Sequence, residues 1–183
     1  MKVDIFNTDK KYDIIYADPP WQYNARKNNT KFGRGAGGYY PLMTMEELEC
    51  LPIPNITSEN AALLLWVTFP KLDKQIRLIE KWGFDYKTLG FSWIKTNPKN
   101  HKPFFGVGYY AKSNCEVCLL GVKGKMKPIS NKVSSCIISE RKEHSRKPDE
   151  VREKIVELFG DRPRIELFAR QHAEGWDCWG NEV

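Results

Sequence analysis

Long apolar runs are missing from this chain. The longest, residues 61–67, holds seven residues, far below the roughly 18 that a membrane-spanning helix needs, which excludes integration into a bilayer by helices. The amino terminus, Met1-Lys2-Val3-Asp4-Ile5-Phe6, meets an acid at once and offers neither the apolar stretch nor the small-residue cleavage site of a secretory signal. A cytoplasmic protein is expected. Cysteine is scarce and irregular: Cys50, Cys115, Cys118, Cys136 and Cys178 are odd in number and unevenly spaced, which argues against a disulfide framework. Cys115 and Cys118 have the spacing of a metal-binding pair, but no second pair accompanies them, so no metal is expected. A phosphate-cradling G-x-x-x-x-G-K-[ST] loop and a G-x-S-x-G nucleophile elbow are both absent, and with them the support for nucleotide hydrolysis and serine hydrolysis.

What is present is enough for one core. A chain of 183 residues with 41% hydrophobic and 13% aromatic content is long enough for one domain and short for two, so residues 1–183 read as a single domain. Lys and Arg number 29 against 23 Asp and Glu, a formal charge of +6. That excess is concentrated. The stretches 22–44, 95–112 and 123–132 contain Arg26, Lys27, Lys31 and Arg34, then Lys95, Lys99, Lys102 and Lys112, then Lys123, Lys125, Lys127 and Lys132, with no acid in any of them. The remainder of the chain is net acidic. If the three loops share one end of a sheet, they form a basic rim with interleaved aromatics, suited to phosphates and stacked bases.

Short segments rich in β-branched and aromatic residues recur at 13–17, 61–67, 88–94, 116–122, 135–138, 165–169 and 176–179. Several are near-continuous apolar runs, the pattern of strands covered on both faces. Helical patterns separate them. Leu72, Ile76, Ile79 and Trp82 share one helix face ahead of Gly83; Thr44 and Glu47 have capping-box spacing; and a helix starting at Pro148 carries Val151, Ile155 and Leu158 at core spacing up to Gly160. Strands alternating with helices predict an α/β fold, a mostly parallel sheet with helices on both faces.

The strongest local signal is Tyr12-Asp13-Ile14-Ile15-Tyr16-Ala17-Asp18-Pro19-Pro20-Trp21. A buried strand runs out into an acid, two prolines and a large aromatic, placing Asp18 and Trp21 at the strand's carboxyl end, where open α/β sheets bind ligands. The prolines remove two backbone donors and leave carbonyls and a carboxylate as acceptors beside an aromatic plate. Such a wall suits an amine. The exocyclic nitrogen of adenine is a poor nucleophile because its lone pair is delocalised into the ring. Accepting one hydrogen on Asp18 and the other on the Pro19 carbonyl favours a pyramidal nitrogen aimed at an electrophile, with Trp21 or a nearby tyrosine available to stack on the base.

These residues resemble the Asp-Pro-Pro-Trp motif of the adenine N6-methyltransferases typified by the catalytic subunit of the eukaryotic messenger-RNA methylating complex. The resemblance continues through Tyr40-Pro41-Leu42-Met43-Thr44, Leu64-Leu65-Trp66-Val67-Thr68, Trp93-Ile94-Lys95-Thr96-Asn97, 116–124 and 145–150, and ends on 164–172 and Gly180-Asn181-Glu182. It implies S-adenosylmethionine as methyl donor. It also implies a Rossmann-like methyltransferase fold in which the catalytic motif precedes the cofactor strand in sequence, so that the strand before Asp18 and the strand at 165–169 are neighbours. Asp18, Pro19, Pro20 and Trp21 would then be catalytic. Asp4, Ile5, Asp18, Lys147, Phe168, Arg170, His172, Asn181 and Glu182 would hold the cofactor, Lys147 meeting the methionine carboxylate and Arg170, His172 and Asn181 the ribose and its surroundings. Tyr40, Lys95, Asn97 and Glu116 would face the substrate, together with Arg26, Lys27, Lys31, Arg34, Lys125 and Lys127 of the basic loops. Glu116 either lines the base pocket or pairs with a basic neighbour.

Gly33-Arg34-Gly35-Ala36-Gly37-Gly38 matches the dinucleotide fingerprint formally, but no strand leads into it and Tyr39-Tyr40-Pro41 cannot open a helix. The expected activity is transfer of methyl to the adenine N6 of nucleic acid, DNA favoured over RNA because the chain is little more than a catalytic core. The rivals are RNA adenine methylation and a catalytically silent nucleic-acid-binding subunit of a methyltransferase pair. A homodimer or a second methyltransferase subunit is the expected partner beside nucleic acid, and no membrane association is expected.

Overall fold

The computed structural model of the protein describes residues 1–22, 42–108, 110–142 and 146–183. Its centre is a seven-stranded sheet of β1 (Tyr12–Ala17), β2 (Thr57–Val67), β3 (Asp85–Thr96), β4 (Cys115–Lys123), β5 (Cys136–Glu140), β6 (Arg164–Leu167) and β7 (Asp177–Trp179). The order across the sheet is β5-β3-β4-β2-β1-β6-β7. All seven strands fall on the segments expected from the sequence. β1 pairs in parallel with both β2 and β6, β3 with β5, and β6 with β7, whereas β4 is antiparallel to both of its neighbours. One reversed strand therefore interrupts an otherwise parallel sheet.

Strands covered on both faces need apolar residues at successive positions, and β1 and β2 have them. Ile15, Ala17, Leu63, Leu65 and Val67 belong to one cluster, closed by Leu48, Ile53, Ile56, Leu78, Ile79 and Trp82. These come from α1 (Met45–Glu49), α2 (Ile53–Ile56), α3 (Leu72–Lys81) and the end of α3. Ile14, Tyr16, Ala62, Leu64 and Trp66 face the other way and are covered by Val151, Ile155 and Phe159 of α4 (Glu150–Phe159). The alternation of the pleat thus sends neighbouring residues of a single strand into two cores.

Local signals account for the helices. The Thr44 hydroxyl accepts from the Glu47 amide at 3.1 Å and the Glu47 carboxylate accepts from the Thr44 amide at 2.7 Å, a complete capping box on α1. α4 begins two residues after Pro148, with Asp149 at its cap position, rather than at the proline itself. The short α2, which packs Ile53 and Ile56 into the core, has no counterpart in the helical pattern of the sequence. Among the described residues no helix is long and apolar enough to cross a membrane.

Candidate active site

Asp18 immediately follows β1, at the end of the sheet where β2, β3, β6 and β7 also finish. β6 is its neighbour on one side, with Ile15 opposite Ile165 and Ala17 opposite Leu167, so the adjacency expected of the first and the late strand is found. A cleft of about 600 Å³, counting its open mouth, lies here and is lined by Tyr16, Asp18, Arg146, Lys147, Arg152, Glu166, Phe168, Arg170, Gln171 and Glu182.

The Asp-Pro-Pro-Trp turn is held rigidly. The Trp21 amide donates to the Pro19 carbonyl at 2.9 Å, and the Met43 amide donates to the Pro20 carbonyl at 2.9 Å. A carbonyl has two lone pairs, so Pro19 keeps acceptor capacity for a ligand. Trp21 itself has a different place from the stacking plate expected of it. Its side chain is buried, with 6% exposure, and its indole N–H donates to the Trp66 carbonyl at 3.2 Å. The ring packs under the turn because β2 supplies an apolar wall and an acceptor there; it braces the motif from the core side.

A chain of ion pairs crosses the site. Lys147 Nζ lies 2.6 Å from Asp18 Oδ2 and 3.2 Å from Glu116 Oε2, and Lys95 pairs with the other oxygen of Glu116. Trp66 lies beneath the Lys147 ammonium, 5.4 Å from ring centroid to Nζ. Burial raises the Asp18 carboxyl above the ordinary aspartate range, against the pull of Lys147. Glu116 is pushed up by burial but held below its usual value by Lys147 and Lys95. Lys147 is lifted well above the usual lysine value, because the two carboxylates outweigh its desolvation. Lys147 therefore sits between two acids rather than standing apart as an anchor for a carboxylate alone.

The second wall of the cleft was not anticipated. Arg152 of α4 makes a two-pronged contact with Glu166 of β6, Nε to Oε2 at 2.7 Å and an Nη to Oε1 at 2.9 Å. Asp149 accepts from Lys142, Arg146, Arg152 and Gln171 at 2.6 to 3.0 Å. The signal for Glu166 was legible, since an acid inside an apolar strand needs a partner. Glu116 shows the same pattern. Tyr16 accepts the Trp66 indole N–H at 2.8 Å and closes the floor.

Of the residues expected at the cofactor, Asp18, Lys147, Phe168, Arg170 and Glu182 line the cleft. Arg170 Nε is 2.9 Å from Glu182. Phe168 has φ of 60°, a left-handed conformation that is strained for an aromatic residue, and its ring meets Trp179 edge-on at 5.3 Å. Asp4, Ile5, His172 and Asn181 are not among the lining residues. Ile5 is buried, the Asp4 carboxylate caps the Phe6 amide, and His172 Nδ1 is 3.2 Å from Cys178 Sγ. Tyr40, Arg26, Lys27, Lys31, Arg34 and the glycine pattern 33–38 lie outside the described residues.

Two basic loops that were expected to form one rim are on opposite ends of the sheet. Lys95 and Asn97 stand at the Asp18 end, with the Asn97 side-chain amide donating to the Lys102 and Pro103 carbonyls at 3.3 Å. Lys125 and Lys127 follow the far end of β4, whose Lys123 is opposite Ala61 near the start of β2, and the Lys125 amide is tied to Asn60 at 2.6 Å. The reversal of β4 carries these two lysines away from the cleft, which corrects the expectation that they face the substrate.

Residues 12–182 match the MT-A70 family. The chain belongs to the MT-A70 family. It is 36% identical over 190 residues to the type II methyltransferase M.MunI of a Mycoplasma species, covering 95% of this chain and 78% of that protein. It is 28% identical to the N(6)-adenosine-methyltransferase catalytic subunit METTL3 of Homo sapiens, over 94% of this chain and 28% of that one. The N(6)-adenosine-methyltransferase MT-A70-like protein of Arabidopsis thaliana is 28% identical over the whole chain and 25% of its own length. The chain thus spans most of the Mycoplasma relative and about a quarter of the plant and animal ones.

The lining also fits the cofactor of an MT-A70 methyltransferase. Four cations, Arg146, Lys147, Arg152 and Arg170, face three carboxylates, Asp18, Glu166 and Glu182, in one cleft. Such a mixed set suits a zwitterion with a carboxylate, an ammonium and a diol better than it suits a phosphate or a purely apolar ligand.

Proposed function

We propose that this protein is an S-adenosylmethionine-dependent methyltransferase that modifies the exocyclic amine of adenine in DNA. The observation that carries the reading is the position of Asp18: a half-buried carboxylate at the end of the central strand, beside a proline carbonyl and at the rim of a zwitterion-lined cleft. When bound, S-adenosylmethionine supplies a methyl group on a sulfonium, already an electrophile with its own leaving group.

The protein's residues then have three tasks. Lys147, Arg146 and Arg152 offer the donors for a carboxylate, Glu166 an acceptor for an ammonium, and Glu182 an acceptor for ribose hydroxyls, with Phe168 as an apolar wall. Asp18 and the Pro19 carbonyl accept the two amine hydrogens and turn the nitrogen lone pair toward the methyl, so the nitrogen attacks in line with no covalent enzyme intermediate. Asp18 is also suited to receive the proton that the methylated amine sheds, because burial makes its carboxyl less acidic than usual. Trp21 acts beneath the turn, keeping the Pro19 carbonyl in place.

DNA is favoured over RNA by the identity with a type II methyltransferase along most of that protein's length. Transfer of labelled methyl to duplex DNA, single-stranded DNA and RNA, with Asp18→Ala as control, tests the reading. Label in DNA adenine that vanishes with Asp18→Ala supports it. Label in RNA alone replaces the substrate, and label in none, with cofactor bound, favours a silent subunit.

A further inference from the structure

The connection from β3 to β4 is a built finger. Thr96 bridges Pro103 and Gly106 bridges Ser113, both antiparallel. The Phe104 amide donates to the Lys95 carbonyl at 2.8 Å and the Gly106 amide to the Ser113 carbonyl at 2.7 Å. The Asn114 side-chain amide donates to the Lys95 carbonyl at 3.1 Å and also to the Phe104 carbonyl. The Arg141 guanidinium covers the Phe104 ring at 4.3 Å. The root is therefore fixed by backbone pairing, a side-chain clamp and a cation–π contact.

The tip is the opposite in character. Val107 and Tyr110 are 103% and 97% exposed, and Phe105 is 59% exposed. Residues 97–114 carry Lys99, Lys102 and Lys112 and no acid. An apolar crown on a rigid, purely basic stem matches a partner that is anionic outside and aromatic within, which is the description of a nucleic-acid duplex. The stem starts where the chemistry is, since its first residue follows Lys95 and Thr96, and Lys95 leads through Glu116 and Lys147 to Asp18. From Phe104, level with Lys95, to Val107 an extended chain reaches about 10 Å, about three base steps.

An adenine inside a duplex cannot present its amine to Asp18 without leaving the stack. We propose that the finger is a wedge that enters the duplex at the place the target adenine vacates. Val107 and Tyr110 fill the gap, and Lys99, Lys102 and Lys112 hold the flanking phosphates. The inference rests on the adenine-methylation reading above and deepens it.

The test is a binding measurement on the whole protein with three probes: a duplex carrying one central abasic site, the same duplex intact, and the corresponding single strand. Wild-type protein is expected to prefer the duplex with the ready-made gap over the intact one by at least about tenfold, because the unstacking cost is already met. The double variant Val107→Ser, Tyr110→Ala, whose changes lie at the exposed tip and whose folding is checked by its melting temperature, is expected to lose that preference and keep its affinity for the single strand. Equal wild-type affinity for both duplexes overturns the wedge, as does a preference that survives in the variant. Self-association of the wild type that the double variant abolishes also overturns it, giving the tip to a second copy of the chain. Methyl transfer is not read in this experiment, so failure of the proposed activity and failure of the wedge are distinguishable.

Discussion

Lys147 Nζ lies 2.6 Å from Asp18 Oδ2, so the carboxylate assigned to the substrate amine already holds a cation. The incoming amine must share that oxygen, take the other one, or displace the lysine toward Glu116, 3.2 Å from the same ammonium. Glu116 thus gives Lys147 a second resting place beside the first.

Asp18→Ala is expected to lower kcat by about 100-fold to 1000-fold, the usual effect of removing one preorganised hydrogen-bond partner of a reacting group. Cofactor affinity should change little. Single-turnover kinetics and direct cofactor titration separate the two; equal losses in both would assign Asp18 to cofactor binding alone.

Lys147→Gln is expected to shift the acid limb of the pH profile of kcat/KM to higher pH. Burial already raises Asp18, and Lys147 is the main influence opposing it, so its removal lifts the carboxyl further and transfer needs a higher pH to ionise it. An acid limb that stays in place shows that Asp18 works without being ionised. Stability has its own sign: Lys147 is raised in the fold, so its contribution is complete below the ordinary lysine value of about 10.4 and is lost as pH climbs through the folded value. Thermal melts of wild type and Lys147→Gln should therefore converge at alkaline pH.

Trp21→Ala is expected to act through the fold. Emptying a buried tryptophan site costs about 3–5 kcal/mol, which lowers the melting temperature of a chain this size by about 6–20 °C. Trp21→Phe, which keeps most of the packing and loses only the bond to the Trp66 carbonyl, should retain more than half of that stability. A folded Trp21→Ala with a wild-type melt would return the ring to the substrate side.

Salt titrations should tell the two basic loops apart. Each lysine on a phosphate adds a slope of about 0.9 to the dependence of log affinity on log salt for duplex DNA. Replacing Lys99, Lys102 and Lys112 by Gln should flatten the slope, whereas Lys125→Gln with Lys127→Gln, at the far end of the sheet, should leave it unchanged. The reverse result would place the duplex across the other end of the molecule.

Gly180→Ala should weaken the cofactor site. A β-carbon there would stand 2.4 Å from the Ala169 carbonyl oxygen and 2.7 Å from its nitrogen, forcing apart the ends of β6 and β7 beside the strained Phe168. Cofactor affinity measured by calorimetry is expected to fall at least about tenfold, the effect of an ångström-scale displacement. An unchanged affinity shows that the wall tolerates the shift.

Much of this arrangement was legible in the residues. The strands announced themselves because a strand buried on both faces leaves an unbroken apolar run, as at 61–67 and 13–17, and the Thr44–Glu47 box marked α1. The adjacency of β1 and β6 came from the family resemblance, since nothing in local sequence says which strand lies beside which. Three things escaped. The direction of β4 is invisible in its composition, and it decides that Lys125 and Lys127 are far from Asp18. Trp21 has the same side chain whether it stacks on a base or braces a turn, and only the apolar wall behind it decides. The Arg152–Glu166 pair joins a helix to a strand, so neither residue signals the other by spacing.

The pairing of β1 with β6 also sets an order of assembly. Ile15 and Ile165 are register partners although nearly the whole chain separates them, and contacts this distant in sequence form slowly. A growing chain makes its Asp-Pro-Pro-Trp turn well before Glu166 and Phe168, which supply one wall of the cleft. Until then β1 has one free edge, an apolar strand without its second neighbour, which is the exposure that favours mispairing. The turn is thus made well before the strand that completes the cleft beside it.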